Sequence, residues 1–261
     1  MSSDLPSVLR GDTVFADDGW RLDPIIEQYL ESINEQESTR ASGIYSPSQL
    51  YGCERALFYN RQGIPRQGNV DPRSRFTFDF GHSLHKLMNR YVGGIFGPDA
   101  AQVEKFVSLP AYNIQGELDM VLLHKGTGRG RRIIDFKSIS SKGFAKLNKP
   151  TILKDGTVSP ASMTGYVWQL HAYMAAEDVP LGTIYYVCKD NGERFEAPLV
   201  FSLPLWERIE ERIMNVETAL ETQVPPGYSS NSYYCKSCDW LQHCQPPGVP
   251  IRRLARERGP V

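Results

Sequence analysis

The chain has 261 residues, of which 41% are hydrophobic, 11% aromatic and 23% charged, a balance that excludes a disordered chain and fits one large domain or a core with an appendage. Its 29 lysines and arginines against 30 aspartates and glutamates leave a formal net charge of −1, so no global basic field draws in nucleic acid and any such contact needs a local patch. No apolar run reaches the roughly 20 residues of a membrane span, and the opening MSSDLPSVLRGD lacks a signal-peptide stretch, so a cytoplasmic protein is expected.

Residues 1 to 45 are polar, with one helical pattern near Pro24 to Ile33, and read as an arm rather than a core. Ser46-Pro47 is a helix start, Ser as N-cap and Pro at the first helical position. The helix carries Leu50, Cys53, Leu57 and Phe58 and ends near Gly63, before a polar loop over residues 64 to 75. A second helix is expected from Thr77 to Tyr91, with Phe80, Leu84, Leu87, Met88 and Tyr91 on its apolar face and Gly93-Gly94 as its stop. Strands follow over Gln102 to Leu109, Gly116 to Leu123 and Arg132 to Lys137, then a helix over Ser162 to Ala176 and strands over Thr183 to Lys189 and Glu196 to Phe201. An amphipathic helix from Leu205 to Thr222 is broken by Pro225-Pro226-Gly227, and a cysteine-bearing tail ends in the basic IRRLARER. This divides the chain into an arm (1–45), a first cysteine helix and loop (46–75), a core (76–201) and a C-terminal helix with the cysteine segment (202–261). No Walker-type phosphate loop is present.

Asp119 lies on the second strand, and Asp135 and Lys137, two apart, share a face of the third. If these strands pair as a hairpin, two carboxylates and an ammonium converge. Close carboxylates repel each other, and a divalent cation removes that cost. Mg²⁺ takes oxygen ligands of this kind, and an ion so held polarises a phosphate and generates a hydroxide. Lys137 then positions the water or stabilises developing charge. His85 on the preceding helix can ligate an ion such as Mn²⁺, although alone it reads as a partly exposed histidine with no role, as His82 does. Gln169 and Tyr173, at i and i+4, share a helix face and read as a pair orienting Lys137 or a bound strand.

Cys235, Cys238 and Cys244 are spaced tightly enough for one metal site, with Cys53 as the fourth ligand reached through the fold. Four thiolates suit Zn²⁺ or an iron–sulfur cluster, and their chemistry alone does not choose. Cys188, in the apolar run IYYVC, reads as a core thiol.

These motifs together resemble the RecB-type branch of the PD-(D/E)xK nucleases, and within it the CRISPR-associated four-cysteine exonucleases and their phage relatives. The segment Ser48-Gln49-Leu50-Tyr51-Gly52-Cys53-Glu54-Arg55 is similar to the family's first cysteine motif. Gly81 and His85 match GxxxH, Gly116 and Asp119 match GxxD, Asp135 and Lys137 match DxK, and Gln169 and Tyr173 match QxxxY. Cys235, Cys238 and Cys244 match the closing C-x2-C-x5-C, so the resemblance runs over about residues 46 to 244. It implies an α/β restriction-endonuclease-like core, a mixed central sheet flanked by helices, with a 4Fe–4S clasp joining N- and C-terminal segments. It implies Mg²⁺ or Mn²⁺ held by His85, Asp119 and Asp135, with Lys137, Gln169 and Tyr173 acting beside them.

The expected activity is a metal-dependent deoxyribonuclease, an exonuclease on single-stranded DNA ends in recombination, repair or phage DNA processing. Trimming of CRISPR spacers or endonucleolytic cleavage is the alternative, and a non-catalytic DNA-binding module with structural zinc is the rival of another class. Lys142, Lys146 and Lys149, directly after the hairpin, are the first candidates for phosphate contact, with Arg131 and Arg132 next and Arg73 and Arg75 further out. Tyr228, Tyr233, Tyr234 and Trp240 are candidates for base stacking. Expected partners are DNA and recombination or CRISPR proteins, with no membrane, in the cytoplasm or in a host's if the gene is phage-borne.

Overall fold

The structure, a computed structural model, describes residues 22–36, 41–66, 72–123, 130–147, 150–152, 158–160, 164–229, 235 and 238–245. Helix α1 (Leu22–Gln36) comes first, then a 3-10 turn at Pro47–Gln49, α2 (Glu54–Arg61) and α3 (Pro72–Phe96). Strands β1 (Ala101–Leu109), β2 (Ile114–Leu123) and β3 (Arg131–Ile139) follow, then a short α4 (Ser141–Phe144) and a two-stranded ribbon, β4 (Pro150–Ile152) and β5 (Val158–Pro160). Helix α5 (Thr164–Glu177) leads to β6 (Leu181–Cys188) and β7 (Arg194–Val200), and α6 (Leu203–Thr222) and α7 (Leu241–Cys244) complete the order.

The central sheet has the order β1-β2-β3-β6-β7. All neighbours are antiparallel except β3 and β6, which run parallel. Parallel neighbours need a crossover, and α5 supplies it. This is the mixed sheet flanked by helices that the strand order suggests. The β1–β2 connection is a 3-10 turn, Pro110–Tyr112, closed by Asn113 at φ 53. Asparagine is one of the few residues that enters that left-handed region readily.

One face of the sheet, with Leu118, Val121, Ile133, Ile184 and Tyr186, packs on α5, α6 and the segment from Ala41 to Tyr59. Residues Val167 to Met174 of α5 are all buried, because that helix is wedged between sheet and α6. The other face, with Met120, Ile134 and Phe136, is covered by α3 through Met88, Leu84 and Val92.

Four expectations are corrected. The helix expected from Ser46 to Gly63 is two pieces, parted where Gly52 donates its amide to Gln49 at 2.8 Å and Cys53 turns extended as the N-cap of α2. Helix α3 starts at Pro72 and passes through Gly93-Gly94; it ends at Gly97, whose φ of 74 suits glycine. Its apolar face is narrower than expected, since the sheet is met by the i, i+4, i+8 stripe of Leu84, Met88 and Val92, leaving Phe80 and Tyr91 exposed. The arm expected to run to residue 45 stops short of it: Ala41 and Tyr45 are core residues, and Tyr45 hydrogen-bonds Glu217 on α6 at 2.7 Å. Helix α6 ends at Thr222, where the sequence pattern places its end, and Gln223 caps it at φ 57. No helix among the described residues is long and apolar enough to cross a membrane. The basic tail, Tyr233, Tyr234 and Lys149 lie outside the described residues.

Gly182 on β6 sits where a Cβ would come 2.8 Å from Cδ2 of Leu170 and 3.0 Å from Sδ of Met174 on α5. Gly182→Val should therefore destabilise the protein by about 1–3 kcal/mol through overpacking. Urea unfolding checks this: a lowered midpoint at unchanged slope is expected, and an unchanged midpoint would mean that α5 does not press on the sheet there.

Candidate active site

Strands β2 and β3 pair from Leu123↔Arg131 to Met120↔Ile134 and then part. The same register would set Asp119 opposite Asp135, but the ladder ends one pair short. Asp119 instead turns its carboxylate across the gap: Oδ2 accepts the Phe136 amide at 2.6 Å, and Oδ1 faces Nδ1 of His85 at 3.0 Å. The sheet is also distorted on β1 beside Asp119, where Glu104, between the pairs Val103↔Met120 and Lys105↔Leu118, takes φ 49. Glu104 accepts from Asn89 at 3.3 Å, and Asn89 lies one turn beyond His85 on α3. No sequence motif marks that second tie between helix and sheet.

Asp135 is almost fully buried, and the Lys137 ammonium lies 2.7 Å from its Oδ2. The contact is a charge-assisted hydrogen bond from the ammonium to a buried carboxylate oxygen. Burial raises the Asp135 carboxyl to about 6; Lys137 opposes the rise and Asp119 adds to it. Burial alone would lower the Lys137 ammonium, but Asp135 and Asp119 overcome it and its pKa ends above the ordinary lysine value. The site thus holds a proton on Lys137 and leaves Asp135 open to a positive partner.

The Tyr173 hydroxyl donates to the Glu117 carbonyl at 2.7 Å, and Gln169 stands 3.4 Å behind it. The pair therefore grips β2 two residues before Asp119, and among the described residues its hydrogen bonds do not run to Lys137. Gly116 permits the approach: a Cβ there would meet Pro47 at 2.9 Å and Tyr173 at 3.5 Å. A residue missed in the sequence is Tyr166, whose ring lies 5.1 Å from the Lys137 ammonium. His82 is exposed, away from these contacts.

Of the basic candidates, Lys142 and Lys146 are exposed around α4, just past the end of β3. Arg131 binds the Glu177 carboxylate and donates to the Glu177 carbonyl at 3.2 Å. Arg132 donates to Gly182 at 3.1 Å and Thr183 at 2.9 Å. Arg73 is exposed and Arg75 pairs with Asp79. Trp240 is buried and donates its indole N–H to Ile64 at 2.9 Å, a packing contact rather than a base platform. Tyr228 is half exposed beneath the Arg55 guanidinium.

Cys53, Cys235, Cys238 and Cys244 line one cavity, together with Arg55, Tyr59 and Tyr228, and none is in a disulfide. Burial pushes the Cys238 thiol up to about 11 and raises Cys235 and Cys244, with the neighbouring cysteines adding to the rise. Thiols so placed stay protonated unless a cation compensates them. Cys188 is buried against Ser141, apart from the four. Among the described residues, no group of three or more His, Cys, Asp or Glu is gathered closely enough to hold a metal ion. In donor type both sites fit the groups the resemblance implies: the carboxylates of Asp119 and Asp135 beside His85 suit a divalent cation, and four thiols on one cavity suit zinc or a cluster.

A family model described as the PD-(D/E)XK nuclease superfamily matches residues 95–245. No curated protein matches the chain. Among solved structures, SSO0001 is 13% identical, with 89% of this chain and 99% of that one covered, at a TM-score of 0.49. The alkaline exonuclease LHK-Exo from Laribacter hongkongensis is 14% identical over 70% of this chain and 91% of its own, at 0.49. A phage-related exonuclease from Haemophilus somnus 129PT is 14% identical over 74% and 98%, at 0.40.

The Asp135–Lys137 pair has a measurable pH signature. A carboxyl raised in the folded state contributes stability that is present below its unfolded pKa and lost as pH rises through about 6. Lys137→Met removes the partner and should push Asp135 further up. The substitution should cost up to about 3–5 kcal/mol near pH 8, where it strands a buried carboxylate, and less near pH 5, where the carboxyl protonates. Urea unfolding at both pH values checks this; equal costs would show the two groups to be uncoupled.

Proposed function

The chain belongs to the PD-(D/E)XK nuclease superfamily, and from that premise we propose that it is a metal-dependent deoxyribonuclease, an exonuclease acting on single-stranded DNA ends. The observation that carries the reading is the parting of β2 and β3 at Asp119 and Asp135, with the Lys137 ammonium 2.7 Å from the buried Asp135 carboxylate. Asp119, Asp135 and His85 would hold Mg²⁺ or Mn²⁺, which when bound supplies Lewis-acid polarisation of a phosphate and a more acidic water. Lys137 keeps its proton and presents it to the charge that develops on the phosphate. Tyr173 and Gln169 act on the carboxylates indirectly by fixing β2 at Glu117. The tautomer of His85 is linked to Asp119: a neutral ring donates from Nδ1 to Oδ1 and leaves Nε2 with a free lone pair.

The single-strand preference is supported by the family resemblance, and the formal net charge of −1 means that DNA is held by a local patch rather than by a global field. Lys142 and Lys146 are exposed past the end of β3 and are proposed, with Lys149, to contact phosphate. Arg131 and Arg132 are already engaged with Glu177 and Thr183 and rank behind them. Cys53, Cys235, Cys238 and Cys244 are proposed to hold a 4Fe–4S cluster, with zinc as the alternative, and so to fasten the C-terminal segment to the start of α2; what supports this is their shared cavity. Work in recombination, repair, phage DNA processing or CRISPR spacer trimming is consistent with such an activity.

The test is cleavage of end-labelled single- and double-stranded DNA with Mn²⁺, Mg²⁺ or chelator. Asp119→Ala, Asp135→Ala and Lys137→Ala should each lower the rate by about 100-fold or more, the scale on which lost transition-state charge stabilisation acts. Wild-type rates in Asp135→Ala would overturn the assignment. For the thiols, serine at Cys53, Cys235, Cys238 or Cys244 should remove bound metal or cluster and lower the melting temperature, because a four-ligand site fails as a unit. Cys188→Ser should leave metal content unchanged. Iron, sulfide and zinc analysis of anaerobically purified protein decides which group is present, and wild-type metal content in all four variants would rule out the shared site.

A further inference from the structure

Lys137 is a long, flexible side chain that must hold one position, and among the described residues the carboxylate it pairs with is Asp135. Asp135 approaches its ammonium at 2.7 Å from one side. The ring of Tyr166, on the first turn of α5, faces it at 5.1 Å from another. Tyr166 is itself braced by Tyr186, a fully buried residue of β6 whose ring centroid lies 6.4 Å away and which stands beside Lys137 in the strand register. Among the described residues the buried Tyr186 hydroxyl has no hydrogen-bond partner, and the ring packs at a tilt against Tyr166 and Phe195. Tyr166 is a third exposed, at the rim of the site.

A divalent cation sharing the Asp135 carboxylate would draw on its charge and weaken its hold on Lys137. Once Asp135 turns to a cation, the ion pair weakens and the ammonium would be free to swing toward water. The π face of Tyr166 is the contact that remains, and it attracts a cation without competing for the carboxylate. Resting on the metal-dependent reading of this site, we propose that Tyr166 is a positioning residue that holds the Lys137 ammonium against the scissile phosphate while Asp135 serves the cation.

The test combines kinetics with a spectroscopic signature in the full chain. With Mn²⁺ and a single-stranded oligonucleotide, Tyr166→Leu should lower kcat by roughly 3- to 30-fold, the range a partly desolvated cation–π contact supports, with KM little changed. Tyr166→Phe, which keeps the ring, should restore kcat. In the metal-free protein, the ε-methylene protons of Lys137 should be shifted upfield by the ring in wild type and Tyr166→Phe, and return to ordinary lysine positions in Tyr166→Leu. Tyr166→Gln, a soluble substitute at this exposed position, serves if the leucine variant melts early. A rise in KM with kcat intact would show that the ring stacks on a DNA base instead, and unchanged kinetics in Tyr166→Leu would remove the positioning role while the nuclease reading stands. Absence of Mn²⁺-dependent cleavage in wild type would remove the nuclease reading and the positioning role together, and a Lys137 signal without upfield shift would remove the contact itself.

Discussion

The site depends on the hydrogen bond from the Phe136 amide to Asp119. An antiparallel pair that continued past Met120↔Ile134 would tie up the backbone of both strands and press two aspartates against each other. By taking the Phe136 amide on its side chain, Asp119 satisfies a buried donor that has lost its ladder partner. The strands separate, and the space between them is lined by carboxylate oxygens. His85 reaches that space because α3 rests on the sheet by the stripe of Leu84, Met88 and Val92, which fixes its rotation. On the far side, Tyr173 and Gly116 hold β2 against α5 and Pro47.

The charges follow from this geometry. Asp135 lies on the covered face of the sheet, so its carboxyl rises for want of water, and the lysine two residues on is drawn to it. A buried pair of this kind adds little to stability compared with an apolar pair of equal volume, so stability alone does not account for it. The thiol cavity is held by the same frame. Arg212 of α6 binds the Gly52 carbonyl and pairs with Glu54 at 3.5 Å, which fixes the turn that presents Cys53. Trp240, anchored on Ile64, sets the approach of the segment carrying Cys238 and Cys244.

Much of this was legible in the sequence because it is written in local patterns. The apolar Ile133-Ile134 ahead of Asp135 marks a buried strand, and the two-residue step to Lys137 puts both charges on one face. The order of strands and the long helix before Leu181 are enough for a mixed sheet with one crossover. What was not legible depends on tertiary contact. Gly93-Gly94 is a stop signal by propensity alone, yet α3 runs through it and ends only at Gly97. Cys53 sits at a helix start and not within a helix, because Gly52 turns the chain. Tyr45 looks like part of a polar arm until Glu217, far along the chain, is seen beside its hydroxyl. Tyr166 has no motif at all; it matters only because α5 lies over β3 and β6. Arg131 and Arg132 read as a basic patch, but Glu177 at the end of α5 and Thr183 on β6 meet them.

The central claim is that the gap between β2 and β3 is a cation site serving phosphate chemistry. Anomalous diffraction from crystals grown with Mn²⁺ tests it most directly. The account predicts a manganese peak within bonding distance of carboxylate oxygens of both Asp119 and Asp135, with a His85 ring nitrogen facing it and the Lys137 ammonium displaced from Asp135 but still under the Tyr166 ring. A gap without manganese at saturating concentration, with the Asp135–Lys137 ion pair intact, would contradict it.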